Sequence, residues 1–500
     1  MFTKLRFGRE TTEIGGKTDV IPTPEKGSSS GFLVFAFVFM VLVSVVVLLP
    51  LYPNDFWPYI RIGAEIVRTG GIPTTEFMSF TQFGQPVVYL YWLPSLLLWG
   101  SYQLGGVTLI SVISVFCISG FYVLLWFCLR EFKTGPISSG FILLVTAMVG
   151  INDWATRPQV FTFPLFGLAL LAVLYWQRKN DRLLWVIPLI SMLWVNFHGS
   201  FVVLFLVLIP AILFGTGNRK RMLIVIALAF LATLVNHYGF DVWTRMFSMV
   251  NSSSIRLYSQ EWRPPINDSW QANIFFATFL VIPFLIAATR PKIPLLYWVW
   301  FLGFGWMALS TVRFAIWFLA FESFLLEMIF GPIYQRIGKR RKYFQSVLFN
   351  RILGLALLVF PIALLPGIRG LWWEGAPPVY TNTTPVRAAE WLKHNSELPG
   401  EMWSDFSFST YLAYALPERR LFISNRFEDF PIWQFVENKQ IGDGDYDWQS
   451  LLDKYRVNLI LASIPLQPEL IQAAHQSADW NQVYRDEQAI IFIRNHPLGD

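Results

Sequence analysis

Over its first three quarters the chain is a succession of long uncharged runs separated by short charged connections. The first run extends from Gly31 to about Leu51 without a charge, and about 20 apolar residues suffice for a helix to cross the hydrocarbon core of a bilayer. Further runs lie near residues 107–129, 137–151, 159–176, 183–197, 200–215, 222–236, 272–289, 293–310, 314–333 and 350–368, which with the first makes eleven expected spans. A Leu- and Trp-rich stretch near 88–104 is placed as an interfacial helix or short re-entrant segment within a first outer loop of 52–106. Counting it as a span would reverse the side of every later loop.

After Trp372 the pattern changes, and residues 373–500 read as a small extracytoplasmic α/β domain. A helix is expected near Pro385 to Asn395 with Thr384 as its N-cap, strands at Arg420–Ser424 and Val457–Ala462, and a closing hairpin of Asn481–Arg485 and Gln488–Arg494. Residues 1–30 read as a disordered cytoplasmic tail, and no A-x-A-like cleavage site follows the first run, so that run is expected to remain as an anchor. The expected fold class is an α-helical polytopic membrane protein of about eleven spans, residues 31–372, followed by a small soluble domain.

Composition agrees with this pattern. Of 500 residues 54% are hydrophobic and 14% charged, against about 25% charged in soluble domains, which excludes a soluble enzyme and intrinsic disorder alike. The formal charge of +6 has a topological reading. The loops Arg130–Lys133, Arg178–Arg182, Arg219–Arg221, Arg290–Lys292 and Arg336–Lys342 are all basic, whereas the alternate loops are long or nearly free of Lys. The positive-inside rule then puts the N-terminus in the cytoplasm and residues 373–500 outside, and the basic balance does not indicate a nucleic-acid partner. Cys117 and Cys128 stand too far apart on one run to form a disulfide, and no zinc pattern accompanies them.

The non-basic ionisable residues near span ends gather on the expected outer side: Asp55, Glu65, Glu76, Asp153, His198, His237, Asp241, Glu261 and Asp268. Ionisable groups beside hydrocarbon are costly, so a one-sided collection marks a candidate functional face. The bland alternative is that long outer loops simply hold more polar residues. Asp55 opens a helix-like stretch and has the further alternative of a plain N-cap. His198 closes a span, where a structural hydrogen bond competes with metal or phosphate binding. Glu261 lies in a long outer loop beside Trp262, an acid and an aromatic that can meet a sugar. No DxD-type pair or H-x-E cluster fixes a metal site, so none is assigned and a divalent cation stays open as a cofactor. Glu322 and Glu327 fall inside an apolar run, Glu322 near mid-membrane and Glu327 within snorkelling reach of the inner face.

The run Asp55-x-Trp57, Arg61-x-Gly63, Gly70 to Pro73, Glu76-x-x-Ser79-Phe-Thr81, Gly84-x-Pro86 and Trp92-Leu93 resembles the first outer loop of bacterial membrane proteins related to the GT-C glycosyltransferases. That superfamily includes the protein O-mannosyltransferases and the lipid A aminoarabinose transferases. The resemblance continues in Arg157-Pro-Gln, Trp194-x-Asn196-x-His198-Gly199, Asn236-x-x-Gly239, Glu261-Trp262, Arg313 and Phe422-Ile-x-x-Arg426, and so covers most of the chain. It implies a GT-C-like fold in a bacterial plasma membrane and transfer of a sugar, on the extracytoplasmic face, from a polyprenyl-phosphate donor to a glycan, lipid or protein acceptor. Asp55 matches the position of the general base, and Glu76 stands where such relatives often carry a second acid, usually Asp. Arg157 and Arg313 are candidates for the leaving phosphate, since a guanidinium binds phosphate bidentately; each has the alternative of anchoring a span end at the headgroups. His198 and Glu261 complete the expected substrate-binding set. Two other readings stand beside this one: a transporter or flippase of an amphiphile with Glu322 as the coupling group, and a non-catalytic scaffold of the same fold.

Overall fold

The computed structural model describes residues 29–338, 346–381 and 383–498. The expected N-terminal tail up to Ser28 and most of the basic loop Arg336–Lys342 lie outside the described residues, as do the side chains of Pro53, Asn54 and Asp55. The helical part runs α1 (Ser29–Leu48), α2 (Pro53–Thr69), α3 (Trp92–Arg130), α4 (Pro136–Gly150), α5 (Phe163–Gln177), α6 (Ile187–Phe197) and α7 (Val202–Phe214). It continues through α8 (Arg219–Ala232), α9 (Asp241–Asn251), α10 (Ser253–Tyr258), α11 (Trp270–Thr289), α12 (Leu295–Ser310), α13 (Ala315–Gly338), α14 (Val347–Val359) and α15 (Pro366–Arg369). Among the described residues seven helical segments are long and apolar enough to cross a membrane, and Leu183–Phe197, Gly199–Phe214 and Leu295–Ser310 are shorter apolar helices. Every apolar run expected to span is occupied by helix, and the protein is a polytopic membrane protein.

The stretch near 88–104 becomes the first part of α3, which breaks at Gly105 and at Gly106 (φ 54°, ψ −147°) before the run that follows. That backbone conformation is open essentially only to glycine. The half-helix before the break packs on α2 so closely that a Cβ on Gly63 would stand 2.3 Å from the Ser95 carbonyl oxygen. α2 ends where Gly70 turns left-handed (φ 73°) and caps it by donating its N–H to the Ile66 carbonyl. Two acids placed within the apolar run of α13 are buried: Glu322 is 2% exposed, and Glu327, rather than snorkelling to the inner face, is fully buried and accepts a hydrogen bond from Ser139 Oγ of α4 at 3.1 Å.

Beyond the helices lie α16 (Val386–His394), β1 (Glu401–Ser404), α17 (Phe406–Ala415), α18 (Ile432–Gly442), α19 (Trp448–Lys454), β2 (Val457–Ser463), α20 (Pro468–Gln476), β3 (Trp480–Arg485) and β4 (Ala489–Arg494). The strands form one sheet in the order β1-β2-β4-β3, with β1 parallel to β2 and the other pairs antiparallel. β2 is buried along its whole length, and its alternation explains why: Leu459 and Leu461 face a core shared with Ile62 and Ile66 of α2, while Ile460 and Ala462 face Phe435, Ile441 and Leu470. The domain that carries the sheet docks on α2 through α17, whose Phe408 and Leu412 belong to the same core. The expected hairpin forms, with Asp486 Oδ1 accepting the N–H groups of Gln488 (2.8 Å) and Ala489 (2.7 Å).

Two local expectations are corrected. α16 starts after Pro385 with no side-chain cap from Thr384. Arg420–Ser424 is not a strand of the sheet; its backbone pairs instead with the first loop, where Leu421 N–H donates to the Met78 carbonyl (2.8 Å) and Phe80 N–H to the Leu421 carbonyl (3.0 Å). A short apolar run needs partners for its backbone, and here they come from some 340 residues away in sequence.

Candidate functional site

A cavity of about 650 Å³ opens where α2 and the first loop meet the turns after α4, α6 and α12, the segment 241–263 and the residues 425–428. Local sequence fixes each contributor. Pro158 opens the 3-10 turn Pro158–Thr162 and holds the residue before it extended, so Arg157 (φ −145°, ψ 166°) leaves the turn at a set angle. His198 is the extended residue (φ −162°, ψ 146°) between the C-terminus of α6 and the turn Gly199–Phe201. Glu261 sits on the 3-10 turn Gln260–Trp262 and Arg313 on the turn Val312–Phe314. The two turns are joined by Val312 N–H donating to the Arg263 carbonyl at 3.0 Å.

The structure brings four of the expected site residues into this one cavity: Arg157, His198, Glu261 and Arg313. Glu261 stands between the two arginines, one carboxylate oxygen paired with Arg157 and the other accepting from Arg313 Nη1 at 2.6 Å. Arg157 also lies 3.7 Å from Asp153, and the Arg313 guanidinium lies 5.8 Å from the Trp262 ring centroid. Burial pushes the Glu261 carboxyl up, yet Arg157 and Arg313 outweigh it and hold the group down at about 2. Arg313 Nη2 stands 3.2 Å from His198 Nε2. Burial first, then Arg313 and Arg157, push the His198 imidazole well below its ordinary range, so the ring is neutral at physiological pH. The other ring nitrogen, Nδ1, accepts the Ser200 backbone N–H at 3.0 Å and lies 2.9 Å from Ser200 Oγ.

Glu76 is not among the residues lining the cavity. It is 1% exposed, and its Oε1 accepts the N–H groups of Met78 (2.7 Å) and Ser79 (3.0 Å), which shapes the loop that pairs with Leu421. Asp55 occupies the first turn of α2, whose Pro58, Tyr59 and Ile62 wall the cavity.

Sequence reasoning gave no role to a second polar group beside the first. Arg426 is 4% exposed, pairs with Asp429, and lies with its guanidinium 4.1 Å from the Tyr89 ring centroid. Tyr91 donates its hydroxyl to Glu428 Oε1 at 2.8 Å, and Asn425, Arg426 and Glu428 all line the cavity. Burial, together with the Glu428 charge, pushes the Tyr91 phenol well up, so it remains a donor. The signal available was the charged run Arg426-Phe-Glu-Asp429, two residues after the apolar Leu421-Phe-Ile423. Among the described residues no group of three His, Cys, Asp or Glu side chains is placed to hold a metal ion.

The remaining wall is apolar: Val202, Val203 and Leu206 of α7 face Met246, Met249 and Val250 of α9. One cavity thus offers a cationic pole, a carboxylate and amide pole, and a hydrocarbon side.

No protein-family model matches the sequence, and no curated protein matches it. Solved structures do. The Archaeoglobus fulgidus oligosaccharyltransferase in its apo form superposes with a TM-score of 0.56 at 11% identity over 94% of this chain and 75% of its own. The mycobacterial arabinofuranosyltransferase AftD gives 0.57 at 13% identity over 93% of this chain, which spans 41% of that longer protein. ArnT from Cupriavidus metallidurans in the apo state gives 0.51 at 12% identity over 93% of this chain and 98% of its own. At these identities the likeness establishes the architecture: this chain has the fold of the GT-C membrane glycosyltransferases.

Proposed function

We propose that the chain is a membrane glycosyltransferase that moves a sugar from a polyprenyl-phosphate donor to a hydroxyl or amide acceptor on the extracytoplasmic face. The observation that carries the reading is the convergence of Arg157 and Arg313 on one cavity that also has an apolar wall, a combination suited to a lipid phosphate. The names of the oligosaccharyltransferase and the arabinofuranosyltransferase support glycosyl transfer as the reaction class.

In this mechanism the acceptor's nucleophilic atom attacks the anomeric carbon while the bond from that carbon to the phosphate oxygen breaks. The electron pair leaves on the phosphate, where Arg157 and Arg313 stabilise the growing charge. Asp55 takes the acceptor proton as general base. Helical spacing supports that role, since position 55 precedes the wall residues Pro58, Tyr59 and Ile62 by three, four and seven residues and so shares their face of α2. Residues 31–372 form the membrane part and 373–500 the outer domain that closes the cavity.

The test uses the purified protein in lipid nanodiscs, with undecaprenyl-phosphate sugars as donors and an envelope extract as the acceptor pool. The wild type releases undecaprenyl phosphate in an acceptor-dependent way. Asp55→Asn and Arg313→Ala each lower the rate by roughly 10²- to 10³-fold while inserting normally. Unchanged turnover in Asp55→Asn removes Asp55 as the base, and acceptor-independent or absent release across the donors removes the transferase reading.

A further inference from the structure

Gln159 is a polar residue of this cavity that the proposed transfer leaves without a role. It is 1% exposed and lines the cavity, and neither its Oε1 nor its Nε2 has a hydrogen-bond partner among the described residues. Its backbone is held in the turn Pro158–Thr162, where the Gln159 carbonyl accepts from Thr162 Oγ1 at 2.6 Å. Buried amides almost always find partners, and a buried amide unmet at both ends in the wall of a cavity is a place where a bound group completes the set. Gln159 stands two residues after Arg157 and lines the same cavity, so a group attached to a phosphate held by Arg157 lies in the space that Gln159 walls. The hydrocarbon side of the cavity, on α7 and α9, accounts for the polyprenyl chain. That leaves the glycosyl group.

We propose that Gln159 is a specificity-determining residue that reads the donor's sugar, its carboxamide giving one donor and one acceptor to a pair of neighbouring hydroxyls. The inference rests on the reading of Arg157 and Arg313 as the phosphate site. A polar group built to pair with a substrate hydroxyl discriminates strongly against a ligand that lacks it, because the amide is then left unmet.

The experiment compares binding of undecaprenyl phosphate with that of undecaprenyl phosphate carrying glucose, mannose or arabinose, to the whole protein in nanodiscs. The wild type binds at least one glycosylated lipid about tenfold or more tighter than the bare lipid phosphate. Gln159→Leu, similar in shape but apolar, abolishes that preference, leaves the bare lipid phosphate bound as before, and does not lower the thermal unfolding midpoint, since no protein partner is lost. Arg313→Ala weakens both ligands. Three results overturn the proposal: no preference for any glycosylated lipid in the wild type, a preference that survives Gln159→Leu, or an equal loss of both ligands in that variant. A bare lipid phosphate that binds independently of Arg313 instead overturns the phosphate site on which the proposal stands.

Discussion

Glu261 places a carboxylate between Arg157 and Arg313, where the proposed function puts the oxygens of a phosphate. Breaking a buried ion pair leaves an uncompensated charge, but about a third of this side chain faces the cavity, so the cost of Glu261→Gln is put at about 2 kcal/mol rather than the 3–5 of a fully buried pair. The freed arginines should then take an anion more readily. Inorganic pyrophosphate is expected to raise the unfolding midpoint of Glu261→Gln by more than that of the wild type; equal or smaller stabilisation would mean that Glu261 aligns the arginines and does not compete with the ligand. His198 carries a separate prediction. Its folded pKa is depressed, so above the ordinary value of 6.5 the ring is neutral in both states and contributes no pH slope. As pH falls below 6.5 the unfolded chain takes up a proton that the folded one refuses, and stability drops by up to about 1.4 kcal/mol per pH unit. The stabilisation from Glu261 is lost only as pH falls from the ordinary 4.5 toward about 2, whereas Asp429, whose carboxyl burial pushes up to about 6, gains stability as pH falls through the same range as His198, so the ring is read as a difference between wild type and variant. Between pH 7.5 and 5.5 the wild-type midpoint should lose ground relative to that of His198→Gln as pH falls; identical slopes would remove the ring as a source of the pH dependence.

The elements with the strongest periodic signal are those the chain announces on its own. Uncharged runs became helices because in lipid a backbone must satisfy its hydrogen bonds within the segment, and the hairpin at Asp486 was legible because its strands are local. What was not legible depends on pairing across the chain. The run Arg420–Ser424 has the composition of a strand, and nothing in it says that Met78 and Phe80 will take its hydrogen bonds. Arg426 stood in the resemblance without a role and Glu428 was not singled out, because Tyr89 and Tyr91, which meet them, come from the other end of the sequence. Arg157, His198, Glu261 and Arg313 could be nominated singly from their place at span ends, but not as a set around one carboxylate. The contact of α2 with the first half of α3 is of the same long-range kind and can be tested at Gly63. A Cβ there meets the Ser95 carbonyl oxygen at 2.3 Å and Trp99 Cβ at 2.6 Å, so Gly63→Ala must push the helices apart. A loss of about 1–3 kcal/mol is expected, together with weaker lipid-phosphate binding because α2 carries Pro58, Tyr59 and Ile62 in the wall. Gly71 is the control: a Cβ added there would meet nothing within 4 Å, and Gly71→Ala should unfold like the wild type.

At the scale of the molecule, the loops sort into two alternating sets. The cavity is built by the segments after α1, after α4, between α6 and α7, between α8 and α11, between α12 and α13, and after α14. The basic loops are the ones in between. They also meet one another: Arg178 pairs with Glu131 at 2.5 Å and Arg221 with Asp181 at 2.6 Å. This alternation fits the eleven spans expected from the sequence, with the segment before the Gly105–Gly106 break left out of the count. Under the positive-inside rule the expected orientation has the basic end in the cytoplasm and the cavity and residues 373–500 outside. Two single cysteines decide it, and because Cys117 and Cys128 are buried, neither native thiol needs to be removed. Lys220→Cys sits in an exposed basic turn and Tyr446→Cys replaces a fully exposed side chain of the sheet domain. An impermeant thiol reagent added to intact spheroplasts should modify Tyr446→Cys and spare Lys220→Cys until the membrane is opened. The reverse pattern would put the cavity in the cytoplasm, where the arginine pair would face cytosolic nucleotides and phosphates, and modification of both sites before opening would break the alternation on which the span count rests.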